Sequence, residues 1–303
     1  YVKKDGEDGC LLYVSSNGRF HKREAELFGP MYFSQDERDG REASGYAAIN
    51  HEVLFQAEQE VSVLECIYST EPYAYQEGCF EEFLQAHREY EEALLKKAPL
   101  ASELGKQLVL SADAYVVDRE STNGKSILAG FPFFEDWGRD TMISLPGITM
   151  LTGRFDDCKS ILRTFAKYVK NGLLPNLFPE GTECPMYNSV DAPLLFINAV
   201  YEYVMLSKDK EVVLELFPVL KGIVEAYKNG TDFHICMDSD GLILAGADLE
   251  QLTWMDVRVG DFLPTPRHGK PVEINAYWYS ALRVMEQFAK ELEISGMGQM
   301  DSD

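Results

Sequence analysis

The chain has 303 residues, 46% of them hydrophobic, and a formal net charge of −22. Its length and composition are typical of a globular protein with one large domain, or with one domain and part of another. The charge argues against nucleic acid and anionic membranes as partners, because phosphate binding needs clustered Lys and Arg, and no apolar run approaches the roughly 18 residues that span a membrane.

Strand patterns occupy residues 1–72. Short β-rich runs are separated by turn signals such as Ser15–Gly18, and the charged, Gly-bearing segment Asp36–Gly45 is predicted to be a loop. These patterns predict the C-terminal part of a β-rich, sandwich-like antiparallel domain. The predicted strands are Cys10–Val14, Val53–Phe55 and Val61–Ile67.

Helical spacing begins after residue 72. Phe80, Phe83 and Leu84 recur on one face among Glu and Lys, which predicts an amphipathic linker helix over residues 73–100, ended by Pro99. Six further helices after residue 100 make the predicted chain mainly α. They are residues 101–118, residues 141–151, a helix that includes Cys158–Val169, and residues 192–205, 211–227 and 272–292.

The connections between these six helices alternate between long and short. In an antiparallel helix array, alternate connections lie at the same end, so the three long loops are expected to meet on one rim. Each long loop carries a polar and aromatic cluster: Trp137–Asp140 in the first, Tyr187–Asp191 in the second, and Thr253–Asp256 in the third, which also contains a predicted hairpin around Asp238–Gly241. The coincidence favours a shared functional rim.

The cysteines and histidines give no sign of a metal or cofactor site. The six cysteines are widely spaced without a CxxC pair, and the five histidines show no ligand spacing beside them. No Gly-rich phosphate loop or GxSxG motif occurs. The sequence therefore predicts reduced thiols, a cytoplasmic protein and no cofactor or metal; without a basic segment followed by an apolar run at its start, no secretory signal is expected.

The residues expected on the rim suit a neutral, polyhydroxylated ligand. Trp137 can stack on a pyranose ring, while the Arg139 guanidinium and the Asp140 carboxylate can grip adjacent hydroxyls. The opposing interpretation of Arg139 and Asp140 is a buried structural ion pair. Asp140 is expected to be kept ionised by its neighbour Arg139.

Three acids on one rim suit glycoside hydrolysis, which needs one carboxylic acid at the leaving oxygen and a second carboxylate opposite it. Asp256 follows Trp254 and Met255, and an apolar wall favours the protonated form that a general acid needs. Asp191 is ambiguous, because it opens a helix and could be a plain N-cap. Glu273 is expected to pair with Lys270 at the rim, or simply along the helix face.

Four ordered motifs carry a resemblance to a known family. They are Gly130–Thr141, Tyr187–Ala192, Thr253–Asp256, and Gly269–Ala276 with Trp278-Tyr279. Over about residues 100–293 the chain resembles the glucosidase domain of bacterial glycogen debranching enzymes. The resemblance implies an (α/α)6 barrel and hydrolysis of α-1,6-linked glucose with inversion, on glycogen or another branched α-glucan.

The related glucoamylases and trehalases extend the resemblance to residue roles. It implies that Asp256 is the general acid, with Asp191 as second choice. It also implies a set of sugar-binding residues: Trp137, Arg139, Asp140, Tyr187, Asn188, Asp191, Trp254, Lys270, Glu273 and Asn275.

The chain departs from this family in the number of its helices. The implied barrel has twelve helices, and residues 101–303 supply about six, so the chain is expected to be the first half of a partial barrel. The family's catalytic base falls beyond residue 303, and the chain alone is expected to be inactive. Two alternatives stay open: hydrolysis of another α-glucoside such as an oligosaccharide or trehalose, and a non-catalytic glucan-binding protein.

Overall fold

A computed structural model describes residues 13–38, 40–57, 60–130, 134–179 and 184–294. The start of the predicted strand Cys10–Val14, the aromatic residues Phe131–Phe133 and the tail after residue 294 lie outside the described residues. The chain divides into two compact units, Tyr1–Tyr90 and Glu91–Asp303.

The first unit contains two antiparallel strand pairs. Its strands are β1 (Tyr13–Ser16), β2 (Arg19–Tyr32), β3 (Ser44–Leu54) and β4 (Cys66–Ser69), and β1 pairs with β4 while β2 pairs with β3. The strand β2 was not predicted, because it is rich in charged residues. Its polar side chains are instead matched across the pair, where Glu52 contacts His21 at 2.9 Å and Arg23 at 3.4 Å. A short helix, α1 (Ser34–Arg38), occupies the start of the predicted loop.

The second unit holds most of the helices, and α2 (Cys79–Lys97) crosses into it from the first. Its further helices are α3 (Glu103–Asp113), α4 (Gly138–Leu145), α5 (Phe155–Lys167), α6 (Ala192–Ser207), α7 (Glu211–Asn229) and α8 (Val272–Ile294). A π-helical turn, Pro146–Met150, continues α4. Three short hairpins or bridged pairs lie between them: β5 (Val116–Arg119) with β6 (Gly124–Ile127), β7 (Asp136–Trp137) with β8 (Leu177–Phe178), and β9 (Cys236–Met237) with β10 (Ile243–Leu244).

All six helices predicted after residue 100 are present, but the fold is mixed rather than mainly α. The described structure has eight helices and is 45% helix and 21% strand, with the strands in small antiparallel sheets. The first helix ends at Asp113, not at residue 118 as predicted. The β-branched pair Val116-Val117 enters β5 instead, where it packs in a hairpin whose turn needs the left-handed Asn123 (φ 49°).

Helix α6 lies at the centre of the second unit. It packs against α4, α5, α7 and α8, and nine of its residues are buried, Phe196 and Ile197 completely. A helix that is apolar on most of its circumference must be enclosed by neighbours. Helices α7 and α8 also meet through Tyr227 and Trp278, whose rings stack with centroids 6.1 Å apart. This packing fixes the ends of the helices from which the long loops extend.

Candidate active site

The three long connections, residues 114–137, 168–191 and 230–271, meet at one place. The first is joined to the second by β7 and β8, in which Trp137 lies opposite Leu177. The second is joined to the third by the Val190 N–H, which donates to the Leu252 carbonyl at 2.9 Å. The structure therefore brings together the three loops that the alternation of connection lengths predicted on one rim.

Arg139 makes the contacts that link all three loops. It lies at the start of α4 and is only 7% exposed. Its Nε donates to Asp191 Oδ2 at 2.7 Å, and one terminal nitrogen lies 3.4 Å from Asp256 Oδ2. The other terminal nitrogen lies 3.5 Å from the Leu252 carbonyl oxygen. A guanidinium can serve three acceptors in one plane, which a lysine ammonium cannot do with the same geometry.

The start of α4 is held tightly against the second loop. The Gly138 N–H donates to the Asn176 carbonyl at 2.7 Å. A Cβ atom at Gly138 would lie 2.0 Å from the Pro175 carbonyl oxygen, so this close approach requires glycine. The backbone of Gly138 thus places the next residue, Arg139, directly beside the second loop.

Asp191 is buried, and its carboxylate faces side chains rather than the helix end. It is 3% exposed and occupies the N-cap position of α6, yet it makes no side-chain capping bond. Its Oδ2 accepts from Arg139, and its Oδ1 accepts from the Ser189 hydroxyl. The interpretation of Asp191 as a plain N-cap is therefore wrong: Ser189 Oγ accepts the Ala192 N–H in its place, at 3.1 Å.

The pKa of Asp140 is shifted in the direction opposite to the one expected. Desolvation raises the pKa of the Asp140 carboxyl; Arg139 opposes this shift, and the charges of Asp191 and Asp256 add to it. The sequence showed only the adjacent Arg139 and so predicted the opposite direction. The shift also records that the three carboxylates lie close together in space.

Asp256 is the most accessible partner of Arg139. Its side chain is 40% exposed, against 5% for that of Asp191. Trp254 is 59% exposed, with the Arg267 guanidinium 5.6 Å from its ring centroid. Among the described residues, Trp254 therefore leaves the carboxylate open to solvent on its side instead of forming the enclosing apolar wall that was expected.

The second loop contributes two further predicted residues. The Tyr187 hydroxyl donates to the Tyr168 carbonyl at 2.9 Å, and burial raises the pKa of Tyr187. Asn188 Oδ1 is buried and accepts no hydrogen bond within the described part of the chain. A buried acceptor without a partner costs free energy, and a role of Asn188 in sugar binding stays a prediction.

Three predicted residues contact other protein groups through polar side-chain atoms, although Glu273 Oε1 accepts no hydrogen bond within the described part of the chain. Lys270 Nζ lies 2.6 Å from Asp238 and 2.7 Å from Asp240, so its expected pairing with Glu273 is wrong. Glu273 pairs with Arg267 at 2.6 Å instead. The Asn275 side chain accepts from the Ile243 N–H at 2.7 Å, which ties α8 to the hairpin of β9 and β10. A role of these three residues in sugar binding stays a prediction.

No sequence pattern singles out Arg119, which joins the first long loop to the second. It is 5% exposed and donates to the Phe178 and Pro179 carbonyls at 3.0 and 2.8 Å, with Asp136 3.5 Å away. Asp136 is itself buried and accepts from Thr141 Oγ1 at 3.0 Å. Asp136 directly precedes Trp137, so the buried pair anchors β7. A lone Arg directly after a predicted helix carries no such signal.

In the part of the chain that the structure describes, no helix combines the length and the apolar character that a membrane span needs. No group of three or more His, Cys, Asp and Glu side chains in that part is arranged to hold a metal ion. The five described cysteines are free thiols.

Comparison with known proteins agrees with the motifs. Residues 110–300 match the family model described as amylo-alpha-1,6-glucosidase. The glycogen debranching enzyme of Saccharomyces cerevisiae (strain ATCC 204508 / S288c) is 32% identical over 236 residues, a match that covers 58% of this chain. The same match spans only 15% of the yeast protein's length. All four sequence motifs fall within the matched family region.

Proposed function

Because the chain belongs to the amylo-alpha-1,6-glucosidase family, we propose that its rim binds a terminal glucose and supplies the general acid that cleaves an α-1,6 branch. The observation that carries this proposal is the position of Arg139, which contacts Asp191 and Asp256 from two other loops. The substrate is glycogen or another branched α-glucan, as the name of the yeast relative, glycogen debranching enzyme, suggests.

The general acid is Asp256 in this proposal, on the grounds of access. Both oxygens of Asp191 are occupied by Arg139 and Ser189, and the residue is 3% exposed, so a glycosidic oxygen has no free approach to it. Asp256 has one long contact of 3.4 Å, which a sugar hydroxyl can replace, and its side chain is 40% exposed. A general acid must reach the leaving oxygen within hydrogen-bond distance.

The remaining rim residues bind the sugar. Arg139 and Asp140 supply a donor and an acceptor for adjacent hydroxyls, Asn188 offers its unpaired carbonyl oxygen, and Trp137 and Trp254 offer ring faces. Inversion requires a second carboxylate about 6.5–9.5 Å from the acid across the sugar, and none of the residues above takes that role. Asp191 serves as a binding residue that neutralises Arg139.

We also propose the domain layout implied by the family. Residues 1–72 belong to a β-rich domain, residues 73–100 form a linker helix, and residues 101–303 form part of an (α/α)6 barrel. The support is the alternation of long and short connections along α3–α8, with the long ones meeting at Arg139.

The test is glucose release from a branched limit dextrin by the complete gene product, with Asp256→Asn as the key variant. Loss of a general acid is expected to lower kcat by about 10²–10⁴-fold. The same variant should keep most of its activity on α-glucosyl fluoride, because fluoride leaves without protonation. The first sugar released should be β-glucose, detected by NMR, if the enzyme inverts.

Asp261→Asn is the matched control, since Asp261 lies in the same loop, and its side chain is 94% exposed. It should leave both activities unchanged. Equal losses on dextrin and on the fluoride in Asp256→Asn, or no loss on either, would remove Asp256 from the acid role. Release from trehalose in place of dextrin would contradict the proposed substrate.

A further inference from the structure

A buried series of hydrogen bonds at the start of α6 connects the helix backbone to Arg139. Ser189 is completely buried; its Oγ accepts the Ala192 N–H at 3.1 Å and donates to Asp191 Oδ1. Asp191 Oδ2 then accepts from Arg139 Nε at 2.7 Å. The orientation of the guanidinium is therefore connected, bond by bond, to the end of the central helix.

Ser189, and not Asp191, accepts a backbone N–H at the start of this helix. An Asp at a helix N-terminus ordinarily accepts a bond from a backbone N–H of the first turn, but Asp191 makes no such bond. A hydroxyl has a single proton. Once the Ser189 oxygen accepts the Ala192 N–H, that proton is directed to Asp191, so both Asp191 oxygens are held by side chains.

The backbone around Ser189 is fixed from two sides. The Val190 N–H donates to the Leu252 carbonyl, and the Val190 carbonyl accepts from the Tyr227 hydroxyl, each at 2.9 Å. Tyr227 is fully buried. The Leu252 carbonyl oxygen also lies 3.5 Å from Arg139. Segment 189–191 is thus anchored to the loop that carries Asp256.

We propose that Ser189 is a positioning residue, which orients Arg139 through Asp191 and so sets where the guanidinium meets the sugar and Asp256. The inference rests on the proposed function, and in it Ser189 touches no reacting atom. Without the hydroxyl, Asp191 Oδ1 loses its partner, and the carboxylate is free to turn and to release Arg139. A displacement of about 1 Å in a site of this kind can cost 10²-fold in rate.

A double-mutant cycle in the complete gene product separates positioning from simple helix capping. The variants are Ser189→Ala, Arg139→Lys and their combination, and the readout is kcat/KM for glucose release from branched dextrin. Because Ser189 acts through Arg139, Ser189→Ala should lower kcat/KM by about 10–100-fold alone. In the Arg139→Lys background the further loss should be less than about threefold, since coupled residues are not additive.

Two additional variants address folding. Ser102 is a plain helix cap, whose Oγ accepts the Gly105 N–H at 3.0 Å. Ser102→Ala should therefore lower the midpoint of thermal unfolding while leaving kcat/KM unchanged in both backgrounds. Ser189→Cys nearly preserves the volume and weakens the hydrogen bond, so a loss of activity in this variant cannot come from a cavity.

The outcomes separate this inference from the proposed function. The positioning role would be overturned if the factors by which the two substitutions lower kcat/KM multiplied in the double variant. It would also be overturned if the Ser189 variants had unchanged kcat/KM. In both cases the glucosidase activity itself would stand. Absence of glucose release from branched dextrin by the unmodified protein would overturn the proposed function and this inference together.

Discussion

At the scale of single residues, the Asp140 carboxyl is harder to ionise in the folded protein than in an unfolded chain. Desolvation raises its pKa, and the neighbouring charges of Asp191 and Asp256 add to the shift despite the adjacent Arg139. Asp209 shows the opposite behaviour: hydrogen bonding to Lys159 lowers its pKa, and its Oδ2 lies 2.7 Å from Lys159 Nζ. The two residues therefore make opposite contributions to the dependence of stability on pH.

We predict that Asp140→Asn raises the free energy of unfolding near pH 7. The pKa of the Asp140 carboxyl is higher in the folded protein than in the unfolded chain. Protonation of Asp140 therefore favours the folded protein below the unfolded-state pKa, and this advantage is lost as the pH rises through the folded-state pKa. At neutral pH the ionised carboxylate thus destabilises the fold, and the amide removes this cost. If Asp140 binds sugar as proposed, the stabilised variant should bind maltodextrin more weakly.

Asp209→Asn is the control variant, and its effect on the free energy of unfolding should have the opposite sign. The pKa of the Asp209 carboxyl is lower in the folded protein than in the unfolded chain. The ionised carboxylate therefore stabilises the protein above the unfolded-state pKa, and this stabilisation is lost as the pH falls through the folded-state pKa. This variant should be less stable than the unmodified protein near pH 7, and the difference should shrink in acid. Urea denaturation at several pH values measures the free energy of unfolding of both variants. Changes of the same sign in the two variants would contradict this account.

The behaviour of Asp140 also shows where prediction from sequence ends at this scale. Arg139, Asp191 and Asp256 could be selected because each lies in a polar and aromatic cluster on a long loop. The direction of the Asp140 shift could not, since it depends on burial and on carboxylates 51 and 116 positions away in the sequence. Ser189 went unnoticed because a serine before an Asp at a helix start does not reveal which of the two caps the helix.

At the scale of elements, the start of α4 decides where Arg139 lies. We predict that Gly138→Ala destabilises the fold by about 1–3 kcal/mol, the usual effect of overpacking, because the new Cβ would lie 2.0 Å from the Pro175 carbonyl oxygen. The displaced helix start should also lower kcat/KM for glucose release, since Arg139 follows directly. Chemical denaturation and steady-state kinetics provide the two measurements.

Gly222→Ala is the matched control for this substitution. Gly222 lies in the middle of α7, and a Cβ atom there meets nothing within 4 Å. Alanine in an open helical position should stabilise the protein by about 0.5–1 kcal/mol and leave kcat/KM unchanged. A Gly138→Ala protein as stable and as active as Gly222→Ala would show that the close approach at Pro175 does not position Arg139.

Helices and connection lengths were predictable at this scale, whereas the small strand pairs were not. The period of apolar residues located α5, α6 and α7 to within a few residues, because each buries a long face. Strands of two residues, such as β7 and β8, have no period at all, and their paired residues lie 40 and 42 positions apart in the sequence. The pairing of Lys270 was mispredicted for a related reason, because its partners Asp238 and Asp240 lie 32 and 30 positions earlier in the chain.

At the scale of the whole molecule, negative charge prevails both overall and at the rim. The chain carries a net charge of −22, and at the rim the Arg139 guanidinium faces the carboxylates of Asp140, Asp191 and Asp256. A neutral glucan carries no net charge for this field to act on, so its affinity should change by less than about twofold as salt increases. A ligand with a positive charge at the sugar ring should respond differently, because exposed charges are screened beyond a Debye length of about 10 Å at 0.1 M salt and 3 Å at 1 M.

We therefore predict that an imino sugar protonated at its ring nitrogen binds at least about tenfold more tightly than glucose at low salt, and that this advantage shrinks at high salt. The charge imitates the oxocarbenium character of the glycosidase transition state, which a rim with excess carboxylate stabilises. Isothermal titration calorimetry with the complete gene product at two ionic strengths measures both ligands, and the N-acetylated, uncharged imino sugar is the matched control. Equal affinity of the charged and uncharged imino sugars would mean that the Asp140, Asp191 and Asp256 carboxylates do not act on the bound ring. A strong salt dependence of maltodextrin binding would mean that this ligand does not bind through neutral hydroxyls alone.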